Sequence, residues 1–451
     1  MKKLFVSVIC FFGVTTAFAQ TDVIYNVYQR SFFDSDANNN GDLEGVRQKL
    51  DYLQGLGVTT IQLAPIYQAD LKKSTNATAF EKVAPEYGNF VNYRNLAQEL
   101  HRRGMRLYQE IELDYLQIIA GQDKNPKIKE SVVKVLKYWA DPNSDGKFYD
   151  GTDGFVIANM SDKPEGTLKN VSLLKDFWAP IIAELKKVNP ALHIIAEPDN
   201  KNSAGSQYYK AGADKVVAVK LQNAIASLNK KSIVAAADST FNYLPEGKLP
   251  IVFIENTTTK LFANDNSNIN RLKAGAALNL LIGGIPSVYY GQELGMKGDT
   301  ALPEAYEWFA ADSGKGLALW YKDSPLWDNR TAKANDGISL EEEQKDANSL
   351  WNFYRTLFKI KATEDAVTGI YKNLANNNDA VFSFTRTSDK GSVLVVINLS
   401  ADKHQVLFDN DGVTRLDVLK LLAGQPDVKF ARGSRSIALP PYAVQVWKIL
   451  R

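Results

Sequence analysis

The 451-residue chain has one cysteine, Cys10, and three histidines, His101, His193 and His404. Cys10 lies in an apolar run, Leu4–Val14, between Lys2-Lys3 and Ala17-Phe18-Ala19. That is the layout of a secretory signal with an A-x-A cleavage site, so residues 1–19 are expected to be removed. The mature chain would then hold no cysteine and no disulfide, and its stability must come from packing. The run is too short to span a bilayer as a stable helix, and no transmembrane segment is expected after cleavage. Charge of one sign is also missing: 53 Lys+Arg against 51 Asp+Glu gives a net +2. Nothing electrostatic argues for nucleic acid. These features suggest a bacterial protein, periplasmic or secreted.

What is present is ordinary for a globular protein, with 45% apolar and 23% charged residues. The length suits one large domain plus a smaller one. Aromatic residues make up 11%. Aromatic rings suit sugar binding, but most serve as core.

Apolar runs alternate with amphipathic segments. Val23–Gln29, Thr59–Pro65, Arg106–Leu113, Gly154–Ala158, Leu192–Pro198, Lys215–Leu221, Pro250–Asn256 and Ile285–Gly291 read as eight strands. Helical periodicity falls between them at Gly45–Leu56, Asn92–Arg103, Ile128–Trp139, Leu174–Val188 and Ile269–Leu281. The economical fold is an α/β (β/α)8 TIM barrel over residues 20–373, with a very short insertion after the third strand. Asn348–Lys361 reads as the closing helix. From 374 to 451 the runs become short and alternating, as in a C-terminal antiparallel β-sandwich.

Two stretches place oxygen side chains at alternate positions. In the first they are Asp34, Asp36, Asn38, Asn40 and Asp42; in the second, Asp141, Asn143 and Asp145, then Gly146, Lys147 and Asp150. A curled loop needs that spacing to wrap a hard cation such as Ca²⁺. The second has Gly where the sharp turn falls and reads as the better site. Solvated Asx-rich turns are the plain alternative for both.

The scaffold motifs resemble the α-amylase superfamily, glycoside hydrolase family 13. The segment VIYNVYQRSFFDSDANNNGDLEGVRQKLDYLQGLGVTTIQLAPIY is similar to that family's first two β/α units, HRRGMRLYQEIELDY to its third strand, DPNSDGKFYDGTDGF to the approach to its fourth, and GGIPSVYYGQELGM to its eighth. The resemblance implies retaining glycoside hydrolysis by two carboxyl groups about 5–5.5 Å apart. It places the acid/base at Glu197. The nucleophile position is Ala158, and the arginine two residues before it is Val156. The substrate-clamping histidine and the stabilising aspartate fall on Thr257 and Thr258. Glu110, Asp114 and Tyr115 take the third-strand Asp, Asn and His positions, and Ser74-Thr75-Asn76 the early Gly-Tyr-Asp.

An alanine cannot form a covalent glycosyl intermediate. One reading is therefore a non-catalytic descendant that binds α-glucan or maltooligosaccharide, or serves assembly. A second is a glycoside hydrolase or transglycosylase using Glu197 with a relocated acid from Glu110, Glu112, Asp114 or Glu255. Period two puts the first three on one face of the third strand. A third is a structural partner of another envelope protein. His101, beside Arg102 and Arg103, reads as a solvated helix face; His193 reads as lying at the strand end away from the chemistry.

Overall fold

The computed structural model describes residues 22–450 except 68–79, 115, 117–119, 121–125, 165–166, 170, 266–267, 301, 409–418 and 432–433. The signal segment, Ser74–Asn76 and Tyr115 lie outside the described residues. Eight parallel strands close a barrel in chain order. They are β1 (Ile24–Val27), β2 (Thr60–Leu63), β3 (Arg106–Glu112), β4 (Gly154–Met160), β5 (His193–Pro198), β6 (Lys215–Val217), β7 (Leu249–Val252) and β8 (Ile285–Tyr289).

The inward face of the barrel is a separate apolar cluster containing Ile24, Tyr108, Val156, Ile195, Ile251 and Ile285. Side chains alternate along a strand, so this cluster fixes which later residues point toward the C-terminal mouth. Asn26, Gln62, Glu110, Glu112, Ala158, Glu197 and Tyr289 share its face. The outward residues of the strands join the main core with the surrounding helices.

Several elements differ from their sequence reading. The helix expected over Gly45–Leu56 is two, Leu43–Gln48 and Leu50–Leu56, joined at Lys49 (φ −96°, ψ 6°). The Lys49 ammonium lies 3.9 Å from the Phe33 ring centre and 4.2 Å from that of Trp308. β6 stops at Val217, and Val219 already begins a helix, Val219–Ser227. An apolar run alone cannot mark that switch. Leu174–Trp178 forms a wider π turn ahead of the α-helix Ala179–Val188, whose Pro180 lacks the N–H for a regular ladder. Asp114 lies past the end of β3 and is exposed. Glu255 lies past the end of β7.

The C-terminal part begins with β9 (Ile370–Asn373) and continues as β10 (Val381–Ser388), β11 (Gly391–Asn398), β12 (His404–Leu407), β13 (Leu419–Ala423), β14 (Ser436–Leu439) and β15 (Val444–Ile449). Five strands order as β13-β15-β11-β10-β9, and β12 pairs with β14. Antiparallel pairing runs throughout. Leu394, Val396, Val406, Ile437, Leu439 and Trp447 form a second core between these two sheets. The opposite face of the larger sheet, including Phe382, Phe384 and Val395, joins the barrel core. Arg386 on β10 donates Nη1 to Ile282 O at 2.9 Å, tying the sheet to a barrel helix end.

Candidate functional site at the barrel mouth

The register across β3, β4 and β5 defines the mouth. Glu112 pairs with Ala158, and Ile157 pairs with Ala196, so Glu112, Ala158 and Glu197 form one inward row. Strands lie ~4.8 Å apart, so the two glutamate backbones stand roughly 10 Å apart with a methyl group between them. Beyond Ile157 the ladder with β5 is irregular up to Met160. Asn159 there is left-handed (φ 49°) and exposed, and its Nδ2 donates to Asp114 Oδ2 at 3.1 Å. Val156, one inward step below Ala158, is 1% exposed within the barrel cluster.

Glu110 lies below Glu112 and is 5% exposed. Its Oε2 accepts from Gln62 Nε2 at 3.3 Å. Burial, then the charges of Glu197 and Glu112, push its pKa to about 8. Glu197 is half-buried, and its Oε1 accepts from Asn256 Nδ2 at 3.1 Å. Burial raises its pKa to about 7 against that hydrogen bond, with Asp114 and Glu112 adding to the rise. Each carboxyl favours its neutral form because it is desolvated among other acids. Glu112 is half-buried, and its backbone N–H donates to Tyr67 Oη at 2.8 Å.

Asn256 organises the loop after β7. Its Oδ1 accepts from Thr258 N–H and Thr258 Oγ1, both at 3.0 Å, while its Nδ2 holds Glu197. Thr257 is half-buried and Thr258 exposed. Glu255 stands apart from these acids: it is 3% exposed and accepts from Phe262 N–H at 2.5 Å. Burial first, then the charge of Glu293, raises its pKa to about 8. A cavity of about 390 Å³ opens beside Glu197, with Asn159, Asn223, Phe253, Thr258 and Lys260 among its walls. The volume lies in the range of small-molecule sites.

Of the two acidic loops, only the first gathers three carboxylates among the described residues. Oxygens of Asp34, Asp36 and Asp42 lie within 4.8 Å of one another. Asp34 accepts from the backbone N–H groups of Asp36, Ala37, Asn38 and Asn39 at 2.7–3.3 Å. Asp42 accepts from Ser35 N–H and Gly45 N–H, and so caps the helix Leu43–Gln48. Gly45 is obligatory, since a Cβ there would lie 1.9 Å from Phe33 O. Burial, with Asp36 as a further cause, raises the Asp42 pKa, and hard oxygen donors packed this way fit a divalent cation. Asn38 donates its Nδ2 to Asp36 Oδ2, and Asn40 accepts from Arg30 Nε.

The second loop curls the same way. Asp141 accepts from Asp145 and Gly146 N–H, Asn143 from Asp145 N–H, and Asp145 from Lys147 N–H. Asp150 is 1% exposed, and burial raises its pKa, with Asp141 and Asp145 adding to the rise. Its expected rank above the first loop is not reflected in any grouping of three acids. His101 is not a free surface group: Nε2 lies 2.9 Å from Asp153 Oδ2 and Nδ1 2.7 Å from Tyr149 O, at the end of this loop. His193 does lie at the far end of β5, where Lys215 Nζ reaches its Nδ1 at 3.1 Å. Gln62, Asn256 and Tyr67 were not singled out from the sequence. Their partners lie 45–59 residues away, and only strand register brings them together.

Comparison with known proteins agrees with this fold. "Alpha-amylase 3" of Dictyoglomus thermophilum is 22% identical over 97% of this chain and 95% of its own. The "Amino acid transporter heavy chain SLC3A1" of Rattus norvegicus is 22% identical over 74% of this chain and 60% of its own. Among solved structures, the alpha-amylase from H. orenii superposes with a TM-score of 0.74 at 20% identity, covering 96% of this chain and 100% of that one. The family described as "Alpha amylase, catalytic domain" matches residues 26–111 and 121–369. The chain belongs to the alpha-amylase catalytic-domain family.

Proposed function

We propose that this chain is an exported, non-hydrolytic member of its family that binds α-glucan or maltooligosaccharide at the barrel mouth. One observation carries the reading: the inward residue of β4 between Glu112 and Glu197 is Ala158, which offers neither nucleophile nor proton. Retaining hydrolysis needs a carboxylate close to the acid/base. Val156, Thr257 and Thr258 likewise bring no charge to the positions where the family resemblance expects Arg, His and Asp. Glu197 then serves as a hydrogen-bonding partner for sugar hydroxyls, oriented by Asn256. The name of the rat relative denotes a transporter subunit, which supports a binding or assembly role within this family. Asp34, Asp36 and Asp42 would hold a structural Ca²⁺, with Asn38 and Asn40 beside them. A periplasmic or secreted location rests on the signal segment. Among the described residues no helix is long and apolar enough to cross a membrane.

A second reading has a specific observation behind it. Glu112 and Glu197 share one row, separated by one strand. That spacing suits an inverting hydrolase, whose carboxyls stand about 6.5–9.5 Å apart, better than a retaining one. One experiment separates the two. The mature protein is titrated with maltooligosaccharides by calorimetry, the same samples are assayed for released reducing sugar, and a Glu197→Gln variant runs beside them. Binding without release is expected. Release that disappears in E197Q would establish hydrolysis. Neither binding nor release would move the assignment to a protein partner.

A further inference from the structure

A further cavity, about 550 Å³, lies in the cleft between the barrel and the C-terminal sheets. One wall is the first turn of the helix Ile269–Leu281, with the turn Asp346–Ser349 and the helix Leu350–Thr363 that follows it. The other is the end of β13 with its turn, Ala423–Gln425, and Tyr442–Val444 at the start of β15. The cleft is separate from the mouth but close to it. Arg271 lines the cavity beside Glu197, while Asn270 and Lys273, on the same helical turn, line the cleft. With 3.6 residues per turn these side chains leave the helix on opposite flanks, so the two cavities stand about one helix diameter apart, roughly 10–12 Å.

Both walls are held by the backbone. Asn352 Nδ2 donates to Glu343 O at 3.2 Å and to Asp346 O at 2.8 Å, which fixes the Asp346–Ser349 turn against its helix. Opposite, Pro440 and Pro441 lead into Tyr442, which is left-handed (φ 51°). Its N–H donates to Ser400 O at 3.0 Å, and that of Ala443 to Pro440 O at 3.1 Å. A bulky residue rarely adopts that conformation, and such strain clusters at binding sites. Gly424 (φ 118°) keeps the neighbouring turn tight, since a Cβ there would lie 2.3 Å from Gln445 Oε1. The charged residues lining the cleft are Lys273 and Asp346, one of each sign. Lys273 Nζ donates to Asn348 O and lies 5.7 Å from the Phe353 ring centre. Asn270 and Gln425 are exposed, and Phe353 and Tyr442 half-buried.

We propose that this cleft is a second saccharide site, which holds an uncharged α-glucan by the rings of Tyr442 and Phe353 and the amides of Asn270 and Gln425. A sugar ring presents apolar C–H faces and a rim of hydroxyls that both donate and accept. Aromatic rings cover the faces, and side-chain amides, which carry a donor and an acceptor at one end, match the rim. Walls without surplus charge favour such a ligand over an ion. The volume lies in the range of small-molecule sites. That the sugar is an α-glucan rests on the saccharide-binding reading of the mouth. A chain long enough to round the helix turn at Ile269–Lys273 would sit in both cavities, its second contact made at high local concentration.

The test titrates the mature protein with maltotriose and maltoheptaose by calorimetry, beside Glu197→Ala, Tyr442→Gly and Tyr442→Phe, each confirmed folded by thermal unfolding. Glycine suits a left-handed position, so Tyr442→Gly removes the ring without adding backbone strain. Two equivalents of maltotriose per wild-type chain are expected, one surviving in Glu197→Ala and the other in Tyr442→Gly, with Tyr442→Phe keeping both. Maltoheptaose is expected to bind the wild type roughly tenfold or more tighter than either single-site variant. Maltotriose binding that Tyr442→Gly leaves unchanged would overturn this inference alone and keep the sugar at the mouth. Binding lost in Tyr442→Gly but unchanged in Glu197→Ala would support the cleft and remove the mouth reading. No binding of either sugar to the wild type would overturn both.

Discussion

Two groups of crowded acids in the barrel domain are solvated by protein in opposite ways. In the loop after β1, Asp34 alone accepts four backbone N–H groups, and Asp42 caps a helix. At the mouth, Glu110 and Glu197 each accept from one neutral amide side chain, Gln62 and Asn256. Backbone donors are fixed by the fold and cost nothing further to orient as the loop acids crowd together. The mouth acids lack that support, and burial lifts their pKa values toward neutrality. The first arrangement suits a permanent structural ion. The second leaves two readily protonated carboxyls at the mouth.

The largest effect should come from breaking the loop. Asp34→Ala leaves four N–H groups without their acceptor while Ala37 and Asn39 stay in the left-handed region (φ 68° and 69°). A loss of about 3 kcal/mol is expected, read as a fall in Tm of roughly 3 °C for a chain of this length. Ca²⁺ at one hundred times its Kd should raise the wild-type stability by about 2.7 kcal/mol and leave the variant unmoved. A variant as stable as the wild type would show that the loop is a passive turn.

The mouth should respond in the opposite sense. Glu110 and Glu197 have folded pKa values raised to about 8 and about 7 from the ordinary 4.5 of a glutamate. Between those limits the folded state binds more protons than the unfolded one, so stability from these groups is full below pH 4.5 and falls as pH rises through 7–8. Glu110→Gln keeps the shape and removes the titration. It should flatten that decline and gain on the order of 1–2 kcal/mol over the wild type at pH 8, in thermal melts across pH 5–8. A parallel decline in both proteins would mean that Glu110 is not the group responsible.

Two smaller changes sharpen the contrast. Asn256→Ala removes the donor to Glu197 and the acceptor for Thr258, at a cost of about 1 kcal/mol, and should weaken maltooligosaccharide binding by freeing Glu197. His101→Gln tests the second loop. The His101 pKa is raised by Asp153 and Tyr149 O against the lowering effect of burial. Its contribution is therefore present below the unfolded pKa and lost as pH rises through the folded one. The variant should lie about 1 kcal/mol below the wild type at pH 5.5 and approach it at pH 8.

The fold was legible because a parallel barrel repeats one local pattern, apolar strand then amphipathic helix closed by Gly. Its weak points were places where pattern and chain direction part company. Lys215–Leu221 is continuously apolar apart from its lysines, yet helix begins at Val219. Glu110, Glu112 and Asp114 share a period of two, yet β3 ends at Glu112 and Asp114 turns outward to Asn159. The site was legible only as a set of residue types. The family resemblance pointed to Glu197, and the period of two to the acids of the third strand. It could not say that Gln62 would reach Glu110, that Asn256 would hold Glu197, or that Glu255 would turn to Phe262 N–H. The first two contacts depend on register between strands far apart in sequence, and the third on how the chain turns after β7.

The most direct test of the central claim is a search for the covalent glycosyl intermediate. The mature protein and an Ala158→Asp variant are incubated with an activated 2-deoxy-2-fluoro-α-glucosyl fluoride, and the intact masses are measured. The account predicts a wild-type mass unchanged after long incubation, because residue 158 cannot attack. A fluoroglucosyl adduct on the wild-type protein, mapped to Glu110, Glu112 or Glu197, would contradict it and establish a relocated nucleophile.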